Sequence, residues 1–231
     1  PKHADHLPLF LLVGLTHKAG VSDLYAPLRS GTDIAFLGGM IRYLLENDLF
    51  FKEYVVHYTD APFLVHADFK MPGELDGIFS GYDEQASKYD RKSWAFQLDE
   101  SGVPRKDPTL TDPQCVFQLL KKHYARYTLD QVSRITGTPT DKLEAVYQAM
   151  GATGRPDRVA TGCYAMGWTQ HTVGVQNIRA FTIIQLLLGN MGMAGGGVNA
   201  MRGEGNVQGS TDYGLLFHIL PGYLPTPSAA L

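Results

Sequence analysis

The chain has 231 residues, of which 44% are hydrophobic and 11% aromatic, and it carries a formal net charge of −3. This length and composition suit one large folded domain or one and a half smaller ones and exclude a disordered chain, while the slightly acidic balance argues against a nucleic-acid binder, which would normally be basic. The two cysteines, Cys115 and Cys163, form neither a disulfide framework nor a C-x-x-C metal motif, and the sequence contains no apolar run of the roughly 18 residues that a membrane span needs.

The first elements in the chain form a pattern typical of nucleotide-binding α/β proteins. Residues 7–15 predict a short buried strand, and the apolar positions of residues 34–45 have helical spacing. The loop between them carries Arg29 and Asp33, and Thr32 or Asp33 can cap the helix. A strand, a polar loop and an amphipathic helix in this order bind nucleotides in α/β proteins. Asp33 is equally compatible with a helix cap and with a ligand contact.

The middle of the chain divides into an irregular part and a helical part. Residues 60–110 mix prolines with glycine, charged and aromatic residues and show no sustained periodicity, which predicts a long irregular insertion. Helices are predicted again from Asp112, which precedes a proline as a cap. Thr128 opens a short helix that ends near Gly137, and residues 138–141 form a loose capping box for another. The inward face of that last helix is predicted to carry Leu143, Val146 and Met150.

A second strand and helix precede a glycine-rich stretch. Residues 158–164 predict a strand, and polar residues follow its carboxyl end, where open α/β sheets bind their ligands. This group consists of Gly167 and the polar residues Thr169, Gln170 and His171. A helix is predicted from about residue 175 to 188, and Gly189 reads as its C-terminal stop.

The glycine run (residues 189–209) holds eight glycines, one arginine and several side-chain amides. Successive N–H groups in such a run bind anions, and Arg202 can grip an anion through two parallel hydrogen bonds. Asn199, Asn206 and Gln208 can read the edges of a heteroaromatic ring. The run follows a helix rather than a strand, which argues against a nicotinamide-dinucleotide fingerprint. A flexible surface loop is the structural alternative to a binding site.

Six segments carry a resemblance to a known family: residues 23–39 (DLYAPLRSGTDIAFLGG), 167–174 (GWTQHTVG), 185–192 (QLLLGNMG), 195–203 (GGGVNAMRG), 206–209 (NVQG) and 215–223 (LLFHILPGY). They resemble the catalytic subunit of the molybdenum- or tungsten-dependent formate dehydrogenases, which belong to the molybdopterin oxidoreductases and carry a bis-(molybdopterin guanine dinucleotide) cofactor. The similarity extends from about residue 21 to residue 227 and includes the irregular insertion.

The resemblance implies a fold, an activity and a set of site residues. The fold is an incomplete parallel-sheet, Rossmann-like α/β domain over residues 1–203, with the insertion at about 60–110, followed at 204–231 by the start of a neighbouring α/β domain. The activity is oxidation of formate to carbon dioxide, or the reverse, at molybdenum or tungsten. Arg202 matches the arginine that holds formate beside the metal. The residues implied at the cofactor are Arg29, Gly31, Thr32 and Asp33 at the guanine dinucleotide, Gly167, Thr169, Gln170 and His171 near a pterin, and Gly203, Asn206 and Gln208 in the glycine run beside them.

The sequence also departs from that family. Family members are several times longer and carry cysteines for a [4Fe–4S] cluster and a cysteine or selenocysteine metal ligand upstream of the first strand, whereas residues 1–20 fit poorly here. The chain is therefore expected to be an interior piece of such a subunit, inactive alone, that works with the rest of the subunit and an iron–sulfur electron-transfer subunit. The respiratory type of the resemblance implies periplasmic export.

Two alternatives to a formate dehydrogenase stay open at this point. One is another molybdopterin oxidoreductase that acts on a different oxyanion. The other is a non-catalytic remnant that binds a nucleotide-like ligand or a partner subunit.

Overall fold

A computed structural model of the protein describes residues 10–11, 22–201, 206–215 and 218–227. The strands are β1 (Phe10–Leu11), β2 (Leu24–Tyr25), β3 (Tyr82–Asp83), β4 (Lys88–Tyr89), β5 (Thr161–Tyr164), β6 (Gly197–Ala200), β7 (Ile219–Leu220) and β8 (Leu224–Pro225). The α-helices are α1 (Asp33–Glu46), α2 (Lys52–Tyr58), α3 (Val116–Tyr124), α4 (Leu129–Thr136), α5 (Thr140–Gly151), α6 (Met166–Thr169), α7 (Gly174–Leu187) and α8 (Val207–Asp212).

Helix α1 lies at the centre of the core, where α3, α4, α5 and α7 pack against it. Its apolar residues recur at helical spacing, and a broad face of the helix is therefore buried, as the sequence predicts. Two adjacent glycines let α5 and the segment between α3 and α4 approach closely. A Cβ on Gly38 would lie 3.0 Å from the ring of Tyr127, and one on Gly39 would lie 2.7 Å from the hydroxyl of Tyr147. That hydroxyl donates a hydrogen bond to the carbonyl of Phe36 at 2.7 Å, which ties α5 to α1.

The strands form short pairs, and the chain is of the mixed α/β class predicted from the sequence. Strand β1 pairs with β2 and β5 pairs with β6 in parallel, while β3–β4 and β7–β8 are antiparallel. Helices α6 and α7 lie between β5 and β6 in the chain, and α7 packs against that pair. A side chain at Gly162 would collide with the ring of Phe181 on α7, so this glycine lets the helix lie directly on the strand.

Most of the helix boundaries predicted from local signals are confirmed. The hydroxyl of Thr128 accepts a hydrogen bond from the N–H of Gln131 at the start of α4, and Gly137 ends that helix with a φ of 74°. The predicted inward residues of α5 are buried. Gly189 follows α7 with a φ of 69°, the left-handed conformation that glycine adopts most easily. Of the predicted strand at 7–15, only Phe10 and Leu11 fall among the described residues, where they form β1.

The predicted cap of α1 by Thr32 or Asp33 is wrong, because the hydroxyl of Thr32 donates to the carbonyl of Arg29 and Asp33 is already the first helical residue. Two further predicted caps are also wrong. Helix α3 begins at Val116, after Cys115, whereas Asp112 stays in the preceding loop, where its Oδ1 accepts a hydrogen bond from the N–H of Gln114. Thr138 does not open a capping box for α5, because its hydroxyl donates to the carbonyl of Pro27 at 2.6 Å instead. In both cases a tertiary or loop partner competes successfully for the polar group.

The insertion at residues 60–110 is irregular, as predicted. It contains two short 3-10 turns, the β3–β4 hairpin and isolated bridges such as Phe63 to Lys106 and Val65 to Phe96. The rings of Phe79 and Tyr89 both contact the ring of Trp94 on its surface. Across the residues that the structure describes, we find no helix with both the length and the apolar character needed to cross a membrane.

Candidate functional site

The candidate site is built on the Gly31 turn (residues 29–33), which leads from β2 into α1. Gly31 has a φ of 82°, so the reversal of the chain needs a residue without a side chain. The hydroxyl of Thr32 donates to the carbonyl of Arg29 at 2.6 Å and closes the turn. Asp33 is the first residue of α1, and its side chain is buried, with 4% of the residue exposed. The turn therefore delivers a carboxylate into the interior at a helix start.

The pKa of the buried Asp33 carboxyl is set by opposing effects. Burial raises the pKa of its carboxyl, while its own N–H, the charge of His171 and hydrogen bonding by Trp168 act in the opposite direction. Its Oδ1 atom is buried, and no donor in the described part of the chain reaches it. A buried acceptor without a donor costs about 1–3 kcal/mol. The geometry therefore suits a ligand that brings an N–H group to this oxygen.

Trp168 lies at the wall of this site and was not predicted as a site residue. It is 8% exposed, stacks on Tyr164 with ring centroids 5.7 Å apart, and contacts Phe181 at 5.1 Å. The side chain of Asn177 donates to the carbonyl of Trp168 at 3.2 Å. The buried Oδ1 of Asn177 is a second acceptor that no described donor reaches.

Sequence signals for these two residues exist but are weak. Trp168 stands inside the polar cluster that follows β5, and Asn177 and Gln185 are polar residues on the largely apolar buried face of α7. A fully buried polar residue is functional more often than an exposed one, because burying a polar group costs free energy unless the group is hydrogen-bonded. Only the fold shows that Asn177 is 1% exposed.

The structure brings His171 to the Gly31 turn, although 140 positions separate His171 from Gly31 in the chain. A Cβ added to Gly31 would lie 3.9 Å from Nδ1 of His171. We call Gly31, Asp33, Trp168 and His171 the Asp33 cluster. Two predicted groups, one at a guanine dinucleotide and one near a pterin, thus meet in space.

The other predicted residues after β5 lie on the rim. Gly167 and Thr169 belong to the single turn of α6, Gln170 follows it, and all three are exposed. An added side chain at Gly174 would collide with the carbonyl of Thr169, so that glycine allows α7 to start directly against the α6 turn. These residues border the Asp33 cluster and face solvent.

Arg29, which was predicted at the cofactor, lies against α4. Its Nη1 donates to the carbonyls of Arg134 at 2.8 Å and Ile135 at 3.1 Å. Both carbonyls belong to the last turn of a helix, where a cation is favoured by the helix dipole. Nη1 of the guanidinium is thereby committed to the protein.

A buried network of polar side chains holds the first part of the glycine run in place. The side-chain amide of Gln185 donates to the carbonyls of Ala160 at 2.9 Å and Gly197 at 2.7 Å, and so joins β5 to β6. The amide of Asn190 donates to Gln185 at 2.8 Å and to Thr153 at 3.3 Å. Gln185, Asn190 and Thr153 are all at most 1% exposed. This network fixes the start of β6 without any contribution from a ligand.

The structure places the predicted residues of the run unequally. Asn199 is exposed on β6 and donates to the hydroxyl of Thr161. Asn206 is exposed with a φ of 54°, and Gln208 falls within α8. Arg202 and Gly203 lie outside the described residues, so their predicted roles stay predictions. In residues 10–11, 22–201, 206–215 and 218–227 we find no cluster of three or more His, Cys, Asp or Glu side chains that could hold a metal.

Known proteins match the chain closely over a segment of their length. The chain is 61% identical over 209 residues to the formate dehydrogenase subunit alpha of Megalodesulfovibrio gigas, which covers 90% of this chain and 20% of that subunit. It is 59% identical to the formate dehydrogenase 2 subunit alpha (cytochrome c-553) of Nitratidesulfovibrio vulgaris, again over 90% of this chain and 20% of that subunit. The nitrate-inducible formate dehydrogenase major subunit of Escherichia coli is 57% identical, over 92% of this chain and 21% of that subunit.

The predicted resemblance to formate dehydrogenase catalytic subunits is confirmed by these matches. The chain spans about a fifth of the length of the curated relatives that it matches. No family model matches it. Among solved structures, acetylene hydratase from Pelobacter acetylenicus has a TM-score of 0.49 at 22% identity and covers 79% of this chain and 17% of that one, a likeness too weak to say anything about function.

Proposed function

We propose that the chain serves in the catalytic subunit of a formate dehydrogenase, which oxidises formate to carbon dioxide or catalyses the reverse reaction. The observation that carries the proposal is the 61% identity over 90% of the chain to a subunit of that name. Because the chain spans only a fifth of that subunit, the activity of the whole protein is part of the proposal rather than a finding.

The cofactor in this proposal is a bis-(molybdopterin guanine dinucleotide) with molybdenum or tungsten, accompanied by a [4Fe–4S] cluster. When bound, such a cofactor supplies the two-electron chemistry, while the protein supplies position and electrostatics. The Asp33 cluster fits the guanine end of a dinucleotide. Guanine carries neighbouring N–H donors on one edge, and the buried Oδ1 of Asp33 is an acceptor that no described residue satisfies.

The start of α1 suits the guanine base better than the pyrophosphate. The first N–H groups of a helix bind phosphate when they are free. Here the N–H groups of Ala35 and Phe36 donate to the carbonyl of Thr32, and the carboxylate of Asp33 interacts with its own N–H. The negative charge of Asp33 would also repel a phosphate placed beside it. We therefore propose that Asp33 binds the base, and that His171 and Trp168 line the same binding site.

The remaining parts of the proposal concern substrate, partners and location. Arg202 is proposed to hold formate, because a planar guanidinium binds a carboxylate through two parallel hydrogen bonds and a lysine does not. Electrons would leave through an iron–sulfur subunit, and the natural protein would act in the periplasm. A tie to an electron carrier is supported by the name of one relative, which specifies cytochrome c-553 for that protein.

The test uses the natural protein that contains this chain. Purified protein is expected to contain molybdenum or tungsten and guanine nucleotide and to reduce a redox dye when formate is added. Asp33→Ala is expected to lower metal and nucleotide content together and to leave turnover per bound metal nearly unchanged. Full cofactor content with poor turnover would refute the assignment of Asp33 to the nucleotide, and absence of formate-dependent reduction would refute the activity.

A further inference from the structure

We infer that Arg29 is a positioning residue, which holds the Gly31 turn against the Asp33 cluster by gripping the C-terminal end of α4, and that Thr138 completes this attachment. The inference deepens the proposed function, since it rests on the Gly31 turn being part of a nucleotide site. It assigns Arg29 to the framework of that site rather than to contact with the ligand.

Arg29 satisfies three successive carbonyls at the end of α4. Its backbone N–H donates to Thr136 at 2.8 Å, and Nη1 of its side chain donates to Arg134 and Ile135. The last carbonyls of a helix have no partner within the helix and must be capped from outside. A charged donor at this end also interacts favourably with the helix dipole. One residue of the turn thus supplies the cap of a helix more than 100 positions away.

Gly137 provides the surface on which the guanidinium lies. Its φ of 74° ends α4, and a Cβ at this position would come within 3.3 Å of Nε and Cζ of Arg29. A contact of 3.3 Å is tighter than most real Cβ contacts, so a side chain here would push the guanidinium away. Gly137 therefore has two roles: it ends α4, and its lack of a side chain lets the guanidinium of Arg29 lie against the backbone.

Thr138 ties the same corner to the turn from the other side. It is fully buried, and its hydroxyl donates to the carbonyl of Pro27 at 2.6 Å. Its own N–H donates to the hydroxyl of Thr136 and its carbonyl accepts from Ser133 at 2.7 Å, so the corner is itself rigid. Pro27 and Arg29 are therefore both fixed to the α4–α5 corner.

The attachment continues into the site through short local contacts. The N–H and the hydroxyl of Thr32 both donate to the carbonyl of Arg29, at 3.2 and 2.6 Å. Thr32 is followed directly by Asp33, which interacts with Trp168 and His171. A displacement of Arg29 is therefore expected to move the carboxylate relative to the indole.

The experiment reads the geometry of the site without any ligand. The chain has two tryptophans, and Trp94 lies on the insertion, where its indole N–H donates to the carbonyl of Ser80. The 231-residue chain labelled with 5-fluorotryptophan therefore gives two ¹⁹F NMR signals, which Trp94→Phe assigns. The variants are Arg29→Met and Thr138→Val, with Thr138→Ser as the conservative rescue and Arg134→Met as the matched control. Arg134→Met is the control because it removes a cation from the same helix end. The side chain of Arg134 is 73% exposed and forms an ion pair with Asp130.

The expected result is a shift of the Trp168 signal in Arg29→Met and Thr138→Val, with the Trp94 signal unchanged. Thr138→Ser and Arg134→Met are expected to match the wild type. A Trp168 signal that does not move in Arg29→Met overturns the inference, and this variant decides even where Thr138→Val does not fold, because Arg29 is exposed and its loss leaves the core intact.

A titration with GMP separates this inference from the proposed function. If the turn must be positioned to bind the base, Thr138→Val weakens GMP binding by about fivefold or more, although Thr138 is fully buried and has no surface to offer a ligand. Weaker binding in Arg29→Met with normal binding in Thr138→Val makes Arg29 a direct ligand contact and overturns the inference. If the wild-type chain does not bind GMP, the proposed function of the turn fails, and the unliganded Trp168 signals still decide whether Arg29 positions it.

Discussion

Replacing Asp33 by asparagine is expected to stabilise the unliganded chain and to weaken its binding of guanine nucleotide. Asp33 is 4% exposed, and no donor among the described residues reaches its Oδ1. Burial disfavours the charged carboxylate and outweighs the groups that favour it, because the pKa of Asp33 is raised. Asparagine has nearly the same shape and keeps an oxygen at this position but carries no charge, so the free energy of unfolding at neutral pH should rise by about 1 kcal/mol, which corresponds to about 2–4 °C in Tm for a chain of this size.

The pH dependence of this gain has a definite sign. The pKa of Asp33 in the folded chain is raised above 3.8, mainly by burial. The folded chain therefore binds the proton more tightly than the unfolded chain does, and the wild type loses stability as the pH rises from 3.8 through the folded-state pKa. The gain from Asp33→Asn should be present at about pH 7 and absent at about pH 3, where the carboxyl is neutral in both states. Thermal unfolding followed by circular dichroism at the two pH values measures it.

Asp130→Asn is the matched control for this prediction. Asp130 also lies in the first turn of a helix, but its side chain is 79% exposed and forms an ion pair with Arg134 at 3.1 Å. An exposed pair of this kind contributes about 0–1 kcal/mol, so the control should lose a little stability. A lower Tm for Asp33→Asn, or an equal gain at both pH values, would show that burial does not govern this carboxylate. Calorimetric titration with GMP should give a Kd about tenfold weaker or more for Asp33→Asn, because a charged acceptor has been replaced.

Three further predictions concern the substrate, the core and a loop. Arg202→Lys in the natural protein should lower kcat/KM for formate by about tenfold or more with metal content unchanged, and near-normal kinetics would remove Arg202 from the substrate site. Gly39→Ala should destabilise the chain by about 1–3 kcal/mol in thermal unfolding, because its Cβ meets Tyr147 and Val132 at 2.7 and 2.8 Å, whereas Gly73→Ala, where an added Cβ finds no described atom within 4 Å, should change little. Asp107→Asn should lower the Tm at neutral pH, because hydrogen bonds from its own loop depress the pKa of this carboxylate. The loss of Tm should shrink as the pH falls below 3.8, and a loss of the same size in acid would contradict this prediction.

Local signals in the sequence determined most of the helices and where they end. The buried face of α1 follows from apolar residues at helical spacing, and the start of α4 follows from the hydroxyl of Thr128. Gly137 and Gly189 end their helices because glycine adopts positive φ without steric cost. Each of these features depends on residues within a few positions of one another, so a sequence is sufficient to predict them. The resemblance to formate dehydrogenase subunits was likewise present in the sequence and is confirmed over 90% of the chain.

Tertiary structure alone decided what the polar side chains of the candidate site contact. Thr138 reads as a helix cap in the sequence, yet its hydroxyl bonds to Pro27, 111 positions away. The resemblance implies only that Arg29 lies at the guanine dinucleotide, and the fold adds that Nη1 of its guanidinium caps a helix 105 positions away. Trp168 is buried against Phe181 of α7, and Asn177 of the same helix is buried beside the backbone of Trp168, so their importance comes from packing. A polar group bonds to whichever partner the packing of the apolar faces brings within reach, and that choice depends on contacts between distant segments that no local pattern encodes.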